Sequence, residues 1–143
     1  MRNISCSLTE KQVRDGSKDV TRRLGWEYLK SGDHLMFCRK VMGRKKGEPL
    51  VKIREIEVVS VKRERLSNLT DWPAYGRKEC IREGFPQMLP SQFVAFFCES
   101  HKARTPKHPK GCTPETVVTR IEFRYVTPTR PDVHSLPLGR VYE

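Results

Sequence analysis

The sequence predicts an α+β fold: a small β-barrel or curled sheet of about five to six strands, with two or three short helices. Three observations lead there. The segment Val117–Tyr125 alternates Val117, Thr119, Ile121, Phe123 and Tyr125 against Val118, Arg120, Glu122 and Arg124, the period of a half-buried strand. Residues 50–63 form a long run rich in β-branched side chains: Val51, Ile53, Ile56, Val58, Val59 and Val61. Pro90 opens a segment in which Phe93, Val94, Phe97 and Cys98 fall on one helical face. Short strands with few helices to cover them leave exposed edges, and closing the sheet removes those edges.

The other elements follow in chain order. Residues 2–8 alternate weakly, with Ile4, Cys6 and Leu8 on one face, as a first strand. Thr9 followed by Gln12 is a capping-box pattern, which predicts a short helix over Glu10–Asp15 ending at Gly16. Residues 24–30 read as an apolar turn. The Ser31-Gly32-Asp33 turn then leads into a strand over residues 34–41. Residues 43–49 are a loop that carries Arg44, Lys45 and Lys46, the densest short basic run. Residues 67–76 read as a loop containing Trp72, Pro73 and Tyr75, and residues 77–83 as a short helix stopped by Gly84. Residues 100–116 form a polar, basic loop. The pattern ends near residue 126, so one domain is expected over 1–126. Pro128, Pro131 and Pro137 then mark an extended or mobile tail over 127–143.

Composition narrows the partners. The 143 residues are enough for one hydrophobic core. With 28 Lys and Arg against 17 Asp and Glu, the formal net charge is +11, which favours polyanions and nucleic acid first. No apolar run approaches a membrane span, and residues 1–6 lack the apolar centre of a signal peptide. A cytoplasmic chain with no membrane partner is therefore expected. In that compartment Cys6, Cys38, Cys80, Cys98 and Cys112, odd in number and irregularly spaced, are expected as reduced thiols.

The stretch richest in chemistry is Gly16-Ser17-Lys18-Asp19-Val20-Thr21-Arg22-Arg23, of the form G-x-K-x-x-T-x-R. In an extended chain Thr21 and Arg23 share a face. The bend at Gly16 lets Lys18 join them. Two cations and a hydroxyl in one small volume suit a phosphate, a carbonyl oxygen or a nucleobase edge. The plainer alternative is a basic edge strand with solvated charges.

This motif, the Ser31-Gly32-Asp33 turn, and the late strand with Thr119-Arg120-Ile121-Glu122-Phe123 resemble the ASCH domain, a small β-barrel of the PUA-like superfamily. Glu83-Gly84-Phe85 ahead of the helix with Phe93 resembles its phage and bacterial members. The resemblance covers residues 1–126 and implies recognition of RNA or of a nucleotide beside the motif. One bacterial branch is an amidohydrolase that removes acetyl from acetylated cytidine. By that resemblance Lys18 and Thr21 occupy two catalytic positions and Glu83 the third, with Glu79 one helical turn earlier as the competitor. Another member is a metal-dependent ribonuclease. The loop around Trp72 and Tyr75 is longer than in the minimal amidohydrolases, and a longer loop beside the cleft alters substrate preference.

The residues themselves support either binding or turnover. Thr21 is a nucleophile if a neutral lysine such as Lys18 takes its proton. Glu83 then orients water or protonates the leaving amine, and Arg23 stabilises the oxyanion. The same groups hydrogen-bond a nucleobase and its phosphate without reacting. The expected function is therefore recognition of RNA, single-stranded DNA or a modified nucleoside. The binding residues expected are Lys18, Arg22, Arg23, Arg44, Lys45, Lys46 and Trp72. Amide hydrolysis by Lys18, Thr21 and Glu83 is the alternative, and ribonuclease activity comes third. Trp26 is expected in the core.

No cofactor is expected. Cys98, His101, His108 and Cys112 are all zinc-ligand types, but C-x2-H-x6-H-x3-C across a loop fits no common finger, so satisfied or solvated side chains are expected there.

Overall fold

The computed structural model describes residues 1–127; the expected tail lies almost wholly outside them. Its elements are β1 (Arg2–Ser5), α1 (Glu10–Asp15), β2 (Val20–Arg23), β3 (His34–Cys38), β4 (Lys52–Arg65), α2 (Asn68–Asp71), α3 (Pro73–Glu83), α4 (Pro90–Ser100) and β5 (Val117–Tyr125). The five strands form one sheet in the order β1-β3-β4-β5-β2. β1 runs parallel to β3 and every other pair is antiparallel. The sheet curls into a half-barrel that stays open between its two edge strands, β1 and β2.

The core has two parts. Inside the curl, Ile4, Val13, Leu35, Phe37, Ile56, Val58, Ile121 and Phe123 pack together, with Phe37 and Phe123 edge to face at 5.3 Å between ring centroids. Beneath the helices, Leu66, Leu69, Cys80, Phe93, Val94, Phe97 and Val118 form the second part. Each such side chain contributes about 1.5–3 kcal/mol by leaving water. The β-branched run that predicted β4 and the alternation that predicted β5 supply Ile56, Val58, Ile121 and Phe123 to the first part.

Several expectations need correction. Among the described residues there are four helices, because residues 67–76 are not a loop but hold α2 and the start of α3. Pro73 and Gly76 gave that stretch its loop composition. Pro73 stands in the first turn of α3, where its missing N–H costs nothing. Gly76 is glycine for close packing: a Cβ there would lie 2.0 Å from the Leu69 carbonyl oxygen and 2.8 Å from Pro90 Cγ.

β1 ends at Ser5, and Leu8 is exposed rather than sharing the face of Ile4 and Cys6. β3 ends at Cys38 instead of residue 41. The side chain of Thr9 does not cap α1; Gln12 instead donates from Nε2 to the Gly84 carbonyl at 2.8 Å, tying α1 to the end of α3. Finally, β5 is half-buried only at its ends. Val118, Thr119, Arg120 and Ile121 are all buried, since helices cover the face that the alternation assigned to solvent.

Candidate functional site

The site lies in the gap of the half-barrel, where the ends of β1 and β2 approach. Gly16, in the left-handed conformation, ends α1 and turns the chain into β2. Alternation along β2 then sends Thr21 and Arg23 one way and Arg22 the other. Arg23 crosses the gap: its Nη2 donates to the Ser5 carbonyl at 2.6 Å and its Nε to Thr21 Oγ1 at 3.0 Å. That guanidinium links the two edge strands that the sheet leaves unpaired.

Arg22 enters a buried ionic layer between the sheet and α3. It meets Arg120 directly across the β2–β5 pair, an arrangement of like charges that is unfavourable alone. Three glutamates resolve it. Glu79 Oε1 accepts from Arg22 Nη2 and from Arg120 Nε, both at 2.6 Å. Glu64 Oε2 accepts from Arg22 Nε at 3.0 Å and Nη2 at 2.8 Å, and Tyr75 donates its hydroxyl to Glu64 Oε1 at 2.8 Å. Glu83 Oε2 accepts from Arg22 Nη1 at 2.9 Å. Its Oε1 lies 3.3 Å from Lys18 Nζ, which also donates to the Glu83 carbonyl at 2.7 Å. Lys18, Arg22 and Arg120 thus face Glu64, Glu79 and Glu83, all buried. Among the described residues, every buried side-chain nitrogen and oxygen has a partner.

The charge states follow from these contacts. Burial pulls Arg22 down, but Glu83, Glu64 and Glu79 outweigh it and hold the guanidinium above its ordinary value. Burial pushes Glu79 up, but Arg120 and Arg22 outweigh it and hold the carboxyl below its ordinary value. For Lys18 burial wins, and its pKa is lowered despite Glu83. Arg23 is also lowered by burial, with Glu83 opposing. Burial, together with its bond to Glu64, pushes the Tyr75 phenol up to about 12.

A cavity of about 270 Å³ opens beside this layer. Lys18, Thr21, Arg23 and Glu83 form its polar side; Phe85, Phe93, Phe96 and Phe97 form the opposite wall. Ser7, Leu8, Ser100 and His101 also line it. The aromatic side chains brace one another: Phe85 sits 5.5 Å from Phe96 and 5.8 Å from Phe93, and His101 stacks on Phe97 at 4.3 Å. The helix α4 that predicted a buried face therefore also builds one wall of the cleft.

The expected site residues divide. Lys18, Thr21, Arg22, Arg23 and Glu83 all line the cavity, and Glu83 rather than Glu79 is the carboxylate that touches Lys18. Arg22 does not fit a phosphate contact, because its guanidinium is spent on three carboxylates and is buried. Trp72 is 60% exposed beside the start of α3 and is absent from the cavity wall. Arg44, Lys45 and Lys46 are exposed on the loop between β3 and β4, and that loop reaches the cleft's edge through Lys40, Val41 and Met42. Trp26 packs half-buried against the first core cluster, with the Arg2 guanidinium 4.9 Å from its ring.

The Cys98, His101, His108 and Cys112 set does not assemble. Cys98 and Cys112 lie 3.6 Å apart at sulfur, but the His101 Nδ1 is engaged with the Phe97 carbonyl at 2.9 Å. Among the described residues no three His, Cys, Asp or Glu side chains are grouped to hold a metal ion. All five cysteines are free thiols.

Sequence reasoning missed Glu64, Arg120 and the aromatic wall. Arg120 falls on the polar phase of the alternation, which reads as solvent-facing, and Phe85 and Phe96 carry no local signal that they meet.

No family model matches the sequence, and no curated protein matches it. Two solved structures are similar in fold. One is an Enterococcus faecalis protein of the DUF984 family, with 14% identity and a TM-score of 0.53 over 82% of this chain; the present chain spans 66% of that one. The other is an ASCH domain from Lactobacillus crispatus, with 12% identity and a TM-score of 0.50 over 87% of this chain and 79% of that one. With the curled five-stranded sheet and its helices, these likenesses define the fold as ASCH-like, a small PUA-like barrel.

Proposed function

We propose that this domain is an RNA-binding or nucleotide-recognition module whose cleft receives a single nucleobase. The observation that carries this reading is the pairing of a polar side, with the donors Lys18 and Arg23, the hydroxyl of Thr21 and the carboxylate of Glu83, against a wall of phenylalanines. A nucleobase needs both: hydrogen bonds at its edge and apolar contact on its face. At about 270 Å³ the cavity lies just below the ~300–1,000 Å³ range of ligand pockets, which suits one base. The net charge of +11 and the exposed Arg44, Lys45 and Lys46 supply long-range attraction to phosphates.

The test is equilibrium binding of labelled single-stranded RNA and DNA by fluorescence anisotropy. Binding is expected, with an affinity that falls as salt rises by a log–log slope of ~−0.7 per phosphate contacted. Thr21→Val, which removes only a hydroxyl, is expected to weaken it. Saturable binding that ignores salt and Thr21→Val would place the partner elsewhere on the surface.

Amide hydrolysis is the second reading, favoured by the convergence of Lys18, Thr21 and Glu83 on one cavity. Thr21 Oγ1 would attack the carbonyl carbon of an N-acylated cytosine and pass its proton to a neutral Lys18. The amine would leave with that proton, and water would then release the acid from the ester. Two contacts weigh against it. Thr21 Oγ1 already accepts from Arg23, and Lys18 is held by both the carbonyl and the carboxylate of Glu83. Release of acetate from acetylcytidine, abolished by Thr21→Val, would establish hydrolysis. The ribonuclease reading finds no such support, because the carboxylates nearest the cleft are committed to Arg22, Arg120 and Lys18.

A further inference from the structure

The cleft is not a closed chamber. A second hollow of about 400 Å³ adjoins it, lined by Ser5, Ser7, Arg23, Trp26, Lys40, Val41 and Met42. Ser5, Ser7 and Arg23 line both spaces. They lie where β1 and β2 approach each other, so the second hollow continues the same opening in the half-barrel. Its far side is the start of the β3–β4 loop, two residues before the basic run at Arg44.

Arg23 is the key to this junction. A guanidinium has five N–H donors. Two of them serve Thr21 and Ser5, and the rest have no hydrogen-bond acceptor among the described residues. Nor does Arg23 pair with any carboxylate there, although its neighbour Arg22 has three. A half-buried cation with no carboxylate in direct contact, facing two solvent-open hollows, is suited to an anion brought by a ligand. Lys40 adds a second cation on the outer side, held only by a loose 3.6 Å contact with Glu48. Trp26 and Met42, the latter 85% exposed, add apolar surface beside those charges.

The first cavity is too small for more than one nucleoside, and the second hollow offers the complementary chemistry of charge and apolar contact at its door. We propose that the two spaces form one groove for a single-stranded nucleic acid: one base sits in the phenylalanine-walled cavity, its phosphodiester lies on Arg23, and the adjoining nucleotide occupies the second hollow against Trp26, Lys40 and Met42. This rests on the reading that the first cavity takes a nucleobase and extends it from a nucleoside to a strand.

The experiment compares a nucleoside 5′-monophosphate with a tetranucleotide of the same base, in RNA and DNA forms, with inorganic phosphate as a third arm. The tetranucleotide is expected to bind about tenfold or more tighter than the mononucleotide, since its second contact is intramolecular. Lys40→Ala with Met42→Ala, both on a surface loop outside the sheet, is expected to bring that ratio close to one. Equal affinities for mononucleotide and tetranucleotide, or a ratio unmoved by the double variant, would overturn the two-part groove and leave the single-base reading standing. Phosphate competing equally well with both ligands would reduce Arg23 to a simple anion site and also overturn it. If neither ligand binds, the nucleobase reading fails and the groove fails with it. A difference between RNA and DNA forms identifies which strand the groove takes.

Discussion

Arg22 and Arg23 are adjacent and identical, yet they do different things. Strand alternation sends them to opposite faces, and their surroundings decide the rest. Arg22 neutralises Glu64, Glu79 and Glu83, so Arg22→Met leaves three carboxylates buried without it. Breaking such a buried network costs about 3–5 kcal/mol, a loss that chemical denaturation measures directly. Arg23→Met removes two hydrogen bonds and no ion pair, so it should cost about 1–3 kcal/mol and leave the fold intact while weakening ligand binding.

Acid acts on the same layer through Glu79, whose folded pKa is depressed. Its contribution is fully present above the ordinary glutamate value near ~4.3. It is lost as pH falls through the lower folded value, so the melting temperature should drop below about pH 4. The sequence shows both arginines as basic residues in a basic motif. It cannot show that partners 42 to 61 positions away claim only the first of them.

At the scale of elements, β5 and the buried face of α4 were legible because their periodicity is the physical cause of their burial, and β4 because β-branched side chains suit a pleated strand. The α2–α3 region was not. Pro73 and Gly76 are loop formers by local propensity, and packing overrides that propensity here. At Gly76 three helices meet too closely for any side chain. Gly76→Ala should therefore destabilise the protein by about 1–3 kcal/mol, even though alanine is the better helix former. A rise in melting temperature in that variant would show that α2 and α4 do not press on α3 as described. Gln12 makes the same point on a smaller scale: its spacing from Thr9 suggests a local cap, but its side chain binds the end of α3.

At the scale of the whole molecule, a half-barrel with two unpaired edges would be open to strand addition. Arg23 bridges those edges, and the cleft occupies the opening. The octapeptide marked Lys18, Thr21 and Arg23 on the cavity, because a short motif on one strand is a local feature. Glu83 followed from resemblance. The aromatic wall did not, because Phe85 and Phe96 meet through the placement of α4. Charge also divides at this scale. Much of the Lys and Arg content is solvated surface, while the buried layer balances itself, so on the proposed reading attraction to a polyanion comes from the exterior and selectivity from the cleft.

On the proposed reading the cleft, through Arg23, holds a nucleic acid by one base and its phosphate. Titration of wild-type protein and Arg23→Met with a labelled single strand tests it most directly, with circular dichroism to verify that both are folded. Binding by the wild type is expected, with at least about a tenfold loss, ~1.4 kcal/mol, in a folded Arg23→Met variant. Equal affinity in the two folded proteins would contradict it.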